Sequence, residues 1–270
     1  MNISRLLVPP GRKFRLKDCA TDDTFDVSKE HAEEALARHV DKLQGLHELL
    51  YAENKRSLLI VLQGMDAAGK DGTIKHVMSG VNPQGCAVTS FKQPSAAELA
   101  HDFLWRIHAA VPAKGSIGIF NRSQYEDVLI ARVHKLVPKR EWESRYQQIN
   151  AFEKMLSENG VYILKFFLHM GKAEQKRRFE ERLKDKSKNW KASPADFAER
   201  KYWKSYQTAY EEALERCSTK HAPWYAVPSD HKWFRNYAVA EVIIRTLEGL
   251  KMKFPAPEAG LANKAVRAKL

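Results

Sequence analysis

Cysteine is scarce: Cys19, Cys86 and Cys217 are the only three among 270 residues, far apart and without a C-x-x-C spacing. That pattern excludes a sequence-local metal site and fits a reducing compartment, with the three thiols read as small buried side chains. Long apolar runs are missing too. Leu6-Leu7-Val8 ends at Pro9-Pro10, too short for a signal-peptide core, and no stretch approaches the ~18 apolar residues of a membrane span. The expectation is a soluble, cytoplasmic protein without a membrane partner. No internal repeat and no low-complexity segment is present, which removes solenoid architectures.

What is present is the composition of an ordinary globular chain, with 44% hydrophobic and 10% aromatic residues. Lys and Arg number 45 against 33 Asp and Glu, a formal charge of +12, so the surface favours a polyanionic partner. Charge alone does not choose between a nucleotide, a nucleic acid, a phosphate polymer and an acidic membrane.

Residues 1–28 read as a short polar extension. An amphipathic helix follows over 29–53, capped by Ser28, with Leu36, Val40, Leu43, Leu46, Leu49 and Leu50 at helical spacing. The run SLLIVLQ at 57–63 has the length and continuous apolarity of a strand covered on both faces. Further strands are predicted at 86–91, 115–121 and 161–168, and helices at 70–79, 95–110, 139–158, 194–217 and 233–250, with 222–228 as an extended connection. Strands alternating with helices predict a parallel sheet in an α/β domain. A lysine-rich stretch inside 171–204 reads as a lid, and 256–270 as a loose tail.

The chemistry concentrates in GMDAAGKDGTIK, residues 64–75. Gly64, Gly69 and Lys70 stand where a G-x-x-x-x-G-K-[ST] loop puts them, after a strand and before a helix, so consecutive backbone N–H groups and a helix N-terminus face an anion. The Ser/Thr that holds magnesium in such loops is absent: Asp71 takes its place, and a second acid, Asp66, sits inside the loop. A carboxylate among phosphates is repelled unless a divalent cation lies between them, which makes Asp66 the candidate metal ligand. Asp71 also suits a helix N-terminus on dipole grounds alone.

A second constellation, FNRSQYED at 120–127, follows the third predicted strand. Its end carries Asn121 where a metal-binding Asp is usual, with Glu126 and Asp127 five and six residues on and Arg122 placed to pair with a phosphoryl group. Arg178, Arg182 and Lys186, at i, i+4 and i+8, line one face of a predicted helix, a spacing shared by lids over phosphates and by ordinary solvated faces. His101, His108, His169 and His221 have no partner in metal-ligand spacing.

Together GMDAAGKDG (64–72), FNRSQYED (120–127), NWK (189–191) and APWY (222–225), with LLYAE (49–53), FKQP (91–94) and HDFLWR (101–106), resemble the polyphosphate kinase 2 family. The resemblance runs from about residue 10 to residue 255. It implies a three-layer α/β/α, thymidylate-kinase-like P-loop fold with a helical lid. The implied activity is reversible transfer of the terminal phosphoryl of inorganic polyphosphate to adenine or guanine nucleotides, with Mg²⁺ or else Mn²⁺. It also implies site roles. Asp66, Lys70, Arg122, Arg178 and Arg182 are the catalytic candidates. Ala67, Ala68, Gly69, Lys70, Asp71, Gly72, Thr73, Lys75, Arg178, Lys188 and Lys191 are the polyphosphate contacts, Asn82, Asn121, Arg122, Glu126 and Asp127 the nucleotide contacts, and Asp66 and Glu126 the metal ligands. Many family members carry Asp where this chain has Asn121 and Asn where it has Glu126. The exchange resembles the class III subgroup, which phosphorylates both nucleoside mono- and diphosphates.

Neither constellation contains a His or Cys nucleophile, so direct in-line transfer is expected. A homo-oligomer without a nucleic-acid partner completes the expectation. Two rivals share parts of the pattern: an ATP-dependent nucleoside monophosphate kinase, on the same fold and loop, and a non-catalytic nucleic-acid binder, which the charge permits.

Overall fold

The structure, a computed structural model, describes residues 1–191 and 193–257. The tail expected over 256–270 therefore falls almost wholly outside the described residues. The sheet begins with strand β1, Ser57–Gln63, all seven residues of which are buried. Its side chains alternate: Leu58, Ile60 and Leu62 join one core, Leu59 and Val61 the other. Strands β2 (Cys86–Ser90), β3 (Ile117–Asn121), β4 (Val161–His169) and β5 (Trp224–Pro228) complete a parallel sheet in the order β2-β3-β1-β4-β5. Leu62 pairs with Asn121, so the loop after β1 and Arg122 after β3 leave the sheet at one edge.

Helices cover both faces, as a parallel sheet requires. On one side pack α1 (Lys29–Glu53), α2 (Lys70–Val77) and α10 (Lys232–Gly249); α6 (Lys139–Glu158) and α9 (Trp203–Cys217) pack on the other. Ser28 caps α1 by accepting from the His31 N–H, and Asn54 ends it in the left-handed conformation. The three-layer parallel architecture and the bounds of α1 and α6 agree with the expectation.

Three segments differ from the expectation. The helix predicted over 95–110 breaks into α3 (Ala96–Leu99) and α4 (Trp105–Ala109). Between them the Asp102 carboxylate accepts from the Leu104 N–H, a local bond that competes with the helix ladder. The helix predicted over 194–217 is likewise divided, into α8 (Pro194–Glu199), a 3-10 turn (Arg200–Tyr202) and α9. Residues 222–228, read as a connection, contain β5, whose prolines at 223 and 228 disguise it. The N-terminal extension is no loose appendage. The Val8 N–H donates to Trp224 O and the Ala226 N–H to Leu6 O, closing the outer edge of β5, and Leu6 and Val8 are buried. Of the cysteines only Cys217 is buried; Cys19 and Cys86 are half-buried, and all three are free. Among the described residues no helix is long and apolar enough to cross a membrane.

One buried polar cluster ties the layers together. Lys165, on β4 and 0% exposed, donates to Glu153 Oε2 (2.5 Å), Tyr125 Oη (2.8 Å) and Cys217 O (2.7 Å), which uses all three ammonium protons. Glu153 Oε1 accepts from Tyr125 Oη and Gln124 Nε2, so α6 and β4 jointly fix the 3-10 turn Gln124–Asp127. Removing one partner strands a buried charge. Lys165→Met should lower unfolding free energy in urea by about 3–5 kcal/mol, and Lys165→Met with Glu153→Leu by less. A double variant less stable than the single one contradicts this account.

Candidate active site

The loop after β1 is built from what its neighbours leave room for. Gly64 has φ 155° and a Cβ there would lie 2.9 Å from Leu168 O; Gly69 has φ 108° and its Cβ would lie 1.9 Å from an Arg235 nitrogen. Between them Ala67 adopts φ 66°, a left-handed conformation costing an alanine about 1–2 kcal/mol. Arg122, at the end of β3, has φ 65°. Two strained non-glycine residues at one sheet edge mark a site that the surrounding structure holds against local preference.

The loop is held from behind through its carbonyls. Gln175 Nε2 donates to Asp66 O (2.9 Å), and Arg178 Nη1 donates to Ala67 O (2.9 Å) and Ala68 O (3.1 Å). Arg235 Nη1 donates to Ala68 O as well (3.1 Å). In a trans peptide C=O and N–H point oppositely, so carbonyls drawn toward these side chains turn the N–H groups of Ala67 and Gly69 the other way, into the loop mouth. Lys70 opens α2 and folds across the loop to Gly64 O (2.8 Å). Burial pulls its ammonium below the usual lysine range and Arg122 adds to this, against the pull of Asp66, Glu126 and Asp71. An arriving anion favours its charged form.

Arg122 joins the two acids. Its Nη2 lies 2.9 Å from Asp66 Oδ1 and its Nη1 3.5 Å from Glu126 Oε2. Beside them Asn121 Nδ2 donates to Asp71 Oδ1 (2.7 Å), so Asp71 turns toward the end of β3. Among the described residues no group of three or more His, Cys, Asp or Glu could hold a metal by itself. Asp66 and Glu126, each bonded to Arg122, offer hard carboxylate oxygens, the donor type of Mg²⁺ sites that take one or two carboxylates and complete the shell with phosphates and water.

Other sequence candidates are distributed unevenly. Asp127 turns away from Arg122 to Arg145, which bonds its carboxylate (3.2 Å) and its carbonyl (3.0 Å). Thr73 Oγ1 bonds back to Gly69 O, and Lys75 is exposed in the last turn of α2. Asn82 caps the 3-10 turn before β2, at the opposite edge of the sheet from the loop, and is not brought to the site. Arg178 is 4% exposed, and its five N–H donors meet Glu174, Ala67 O, Ala68 O, Ser229 O and Asp230 O. The cationic face read from Arg178, Arg182 and Lys186 is not formed. Arg178 is a buried clamp, Arg182 lies half-buried over the Phe179 ring, and helix α7 (Lys172–Lys184) ends before Lys186. Lys188 is exposed and pairs with Asp185, and Lys191 closes the turn Asn189–Lys191.

Sequence reasoning passed over Gln175, Arg235, Tyr206 and Tyr210. Burial lifts the hydroxyls of both tyrosines well above the ordinary range, followed for Tyr206 by its bond to Glu199 and for Tyr210 by the charge of Glu126. An arginine inside the apolar stretch WFRNYAVA was the available signal for Arg235.

The family model for polyphosphate kinase 2 matches residues 26–255. An AMP/ADP-polyphosphate phosphotransferase of Meiothermus ruber is 51% identical over 253 residues, 93% of this chain and 95% of that protein. An ADP-polyphosphate phosphotransferase of Rhodopseudomonas palustris is 51% identical over 261 residues, 92% and 90% respectively. The crystal structure of polyphosphate kinase 2 from Arthrobacter aurescens TC1 superposes with a TM-score of 0.93 at 43% identity, covering 98% of this chain and 94% of that one.

Asp127 supplies a pH test of the geometry. Burial pushes its carboxyl up to about 6, against Arg145 and Arg106. A carboxyl that holds its proton more tightly when folded adds stability below about pH 4 and loses it as pH rises through its folded value. Between about pH 4 and pH 7 the wild type should lose on the order of 3 kcal/mol of unfolding free energy relative to Asp127→Asn. Parallel stability curves for the two proteins would remove the buried-carboxyl assignment.

Proposed function

The chain belongs to the polyphosphate kinase 2 family, and from that premise we propose that it moves the terminal phosphoryl of inorganic polyphosphate onto nucleotides, AMP to ADP and ADP to ATP, reversibly. The observation that carries the reading is the juxtaposition at one sheet edge of a phosphate-binding loop with Arg122 between Asp66 and Glu126. The polyphosphate end lies along the loop N–H groups and Lys70. The acceptor nucleotide, with an adenine or guanine base, enters from the side of Arg122, Glu126 and Asp127. An oxygen of its terminal phosphate attacks the end phosphorus in line, the bond from that phosphorus to the bridging oxygen breaks, and the shortened chain leaves with the electron pair.

The protein's part is positioning and charge neutralisation. Lys70 surrenders its bond to Gly64 O for a phosphate oxygen. Arg122, held in place by two acids, faces the equatorial oxygens of the moving group. Asp66 and Glu126 would hold Mg²⁺, or Mn²⁺ in its stead, which would supply positive charge against the phosphate oxygens. The loop acid thus replaces the missing hydroxyl after Lys70. In the lid region expected over 171–204, residues after α7 such as Lys188 and Lys191 close over the polymer. The same reading takes the protein as a cytoplasmic homo-oligomer acting on these small anions without nucleic acid or membrane.

The test is purified protein with Mg²⁺, long-chain polyphosphate and AMP, followed by chromatography, with ATP plus AMP and no polymer as the control. ADP and then ATP should appear only with the polymer; ADP forming only in the control hands the function to an ATP-dependent kinase. Lys70→Ala should reduce transfer to background. Arg122→Ala should cost about 1,000-fold or more in kcat, the scale of an arginine that neutralises a phosphoryl in flight. Asp66→Asn should raise the Mg²⁺ concentration needed for half-maximal rate, and an unchanged Mg²⁺ dependence would discard the metal assignment.

A further inference from the structure

Arg235 stands out as a buried cation with nothing to neutralise it. It lies in the first turn of α10, 2% exposed, and among the described residues no carboxylate comes within 4.0 Å of its guanidinium. Its acceptors are neutral: Ala68 O for Nη1, and Asn236 Oδ1 for Nε (3.2 Å) and Nη2 (2.9 Å). Arg178, next to it behind the loop, has Glu174 as counter-charge; Arg235 has none. The guanidinium lies flush against the loop backbone. A Cβ on Gly69 would stand 1.9 Å from Nη1, and one on Gly72 would stand 3.2 Å from Nη2. Burial, and then repulsion from Arg178, pulls its pKa down to about 9. Keeping such a charge costs stability unless a ligand compensates it.

We propose that Arg235 is a positioning residue for the polyphosphate: a fixed positive charge behind the loop, left uncompensated by the protein so that the polyanion in the loop mouth compensates it. The inference rests on the reading that this loop holds the phosphate chain. Arg235 acts through the loop peptides, fixing the Ala68 carbonyl and adding field in a region of low dielectric where a charge acts over longer range than in water. Asn236 orients the guanidinium, and Gly69 is required both for its φ and for the absence of a side chain there.

The test uses the full chain without nucleotide and tripolyphosphate as probe, with binding read by calorimetry and stability by thermal unfolding. Arg235→Met, of similar length and no charge, should weaken tripolyphosphate binding roughly tenfold or more. It should leave the melting temperature of the ligand-free protein equal or higher and shrink the rise on adding tripolyphosphate. Arg235→Lys should recover most of the affinity. In turnover, KM for the polymer should rise more than KM for AMP. A ligand-free Arg235→Met protein that melts lower yet binds tripolyphosphate as wild type does would make Arg235 a packing residue only and overturn the proposal, as would Arg235→Lys binding no better than Arg235→Met. Failure of the wild type to bind tripolyphosphate would instead overturn the reading of the loop on which the inference stands.

Discussion

The grip of α7 and α10 on the carbonyls of the loop is the constraint on which the site depends. A glycine-rich turn has no conformation of its own, and here the decision is made from behind: Gln175 holds the Asp66 carbonyl, Arg178 those of Ala67 and Ala68, and Arg235 shares the last. Arg178 also reaches Ser229 O and Asp230 O after β5, so one side chain locks the loop after β1 to the segment that leads into α10. Ala67 can sit at φ 66° because these bonds outweigh its local cost. The amide cradle is thereby set before any anion arrives, and no binding energy is spent on shaping it.

Acids inside an anion-binding loop then cease to be a contradiction. Asp66 does not confront the phosphate alone; it pairs with Arg122, which is shared with Glu126, and Asp71 is held by Asn121. Each acid is thus an acceptor for a side chain at the end of β3. Asp66 couples the β1 loop to the residue following β3. The buried Lys165–Glu153 pair extends the coupling by anchoring Tyr125, next to Glu126 in the chain.

Local signals in the sequence were the readable ones. The bounds of α1 and α6, the buried strand before the loop and the pairing of loop and Arg122 segment at one end of the sheet all follow from periodicity, capping and the strand–loop–helix order. What escaped was set by distant partners. Arg178 spaced with Arg182 and Lys186 reads as a charged helix face, yet its acceptors lie 111 and 110 residues back and 51 and 52 residues ahead. Asn82 follows the loop closely in sequence, but α2 carries the chain back to the opposite sheet edge. The prolines around β5 mask a strand that the N-terminal extension covers from the far side.

The account turns on which anion occupies the loop. A crystal structure of the full chain with Mg²⁺, tripolyphosphate and AMP measures this directly. Phosphates of the polymer should lie against the amides between Asp66 and Lys70, its end phosphorus should face Arg122, and the AMP phosphate should approach from the Glu126 side. A nucleotide phosphate seated in the loop, with tripolyphosphate elsewhere, would contradict it.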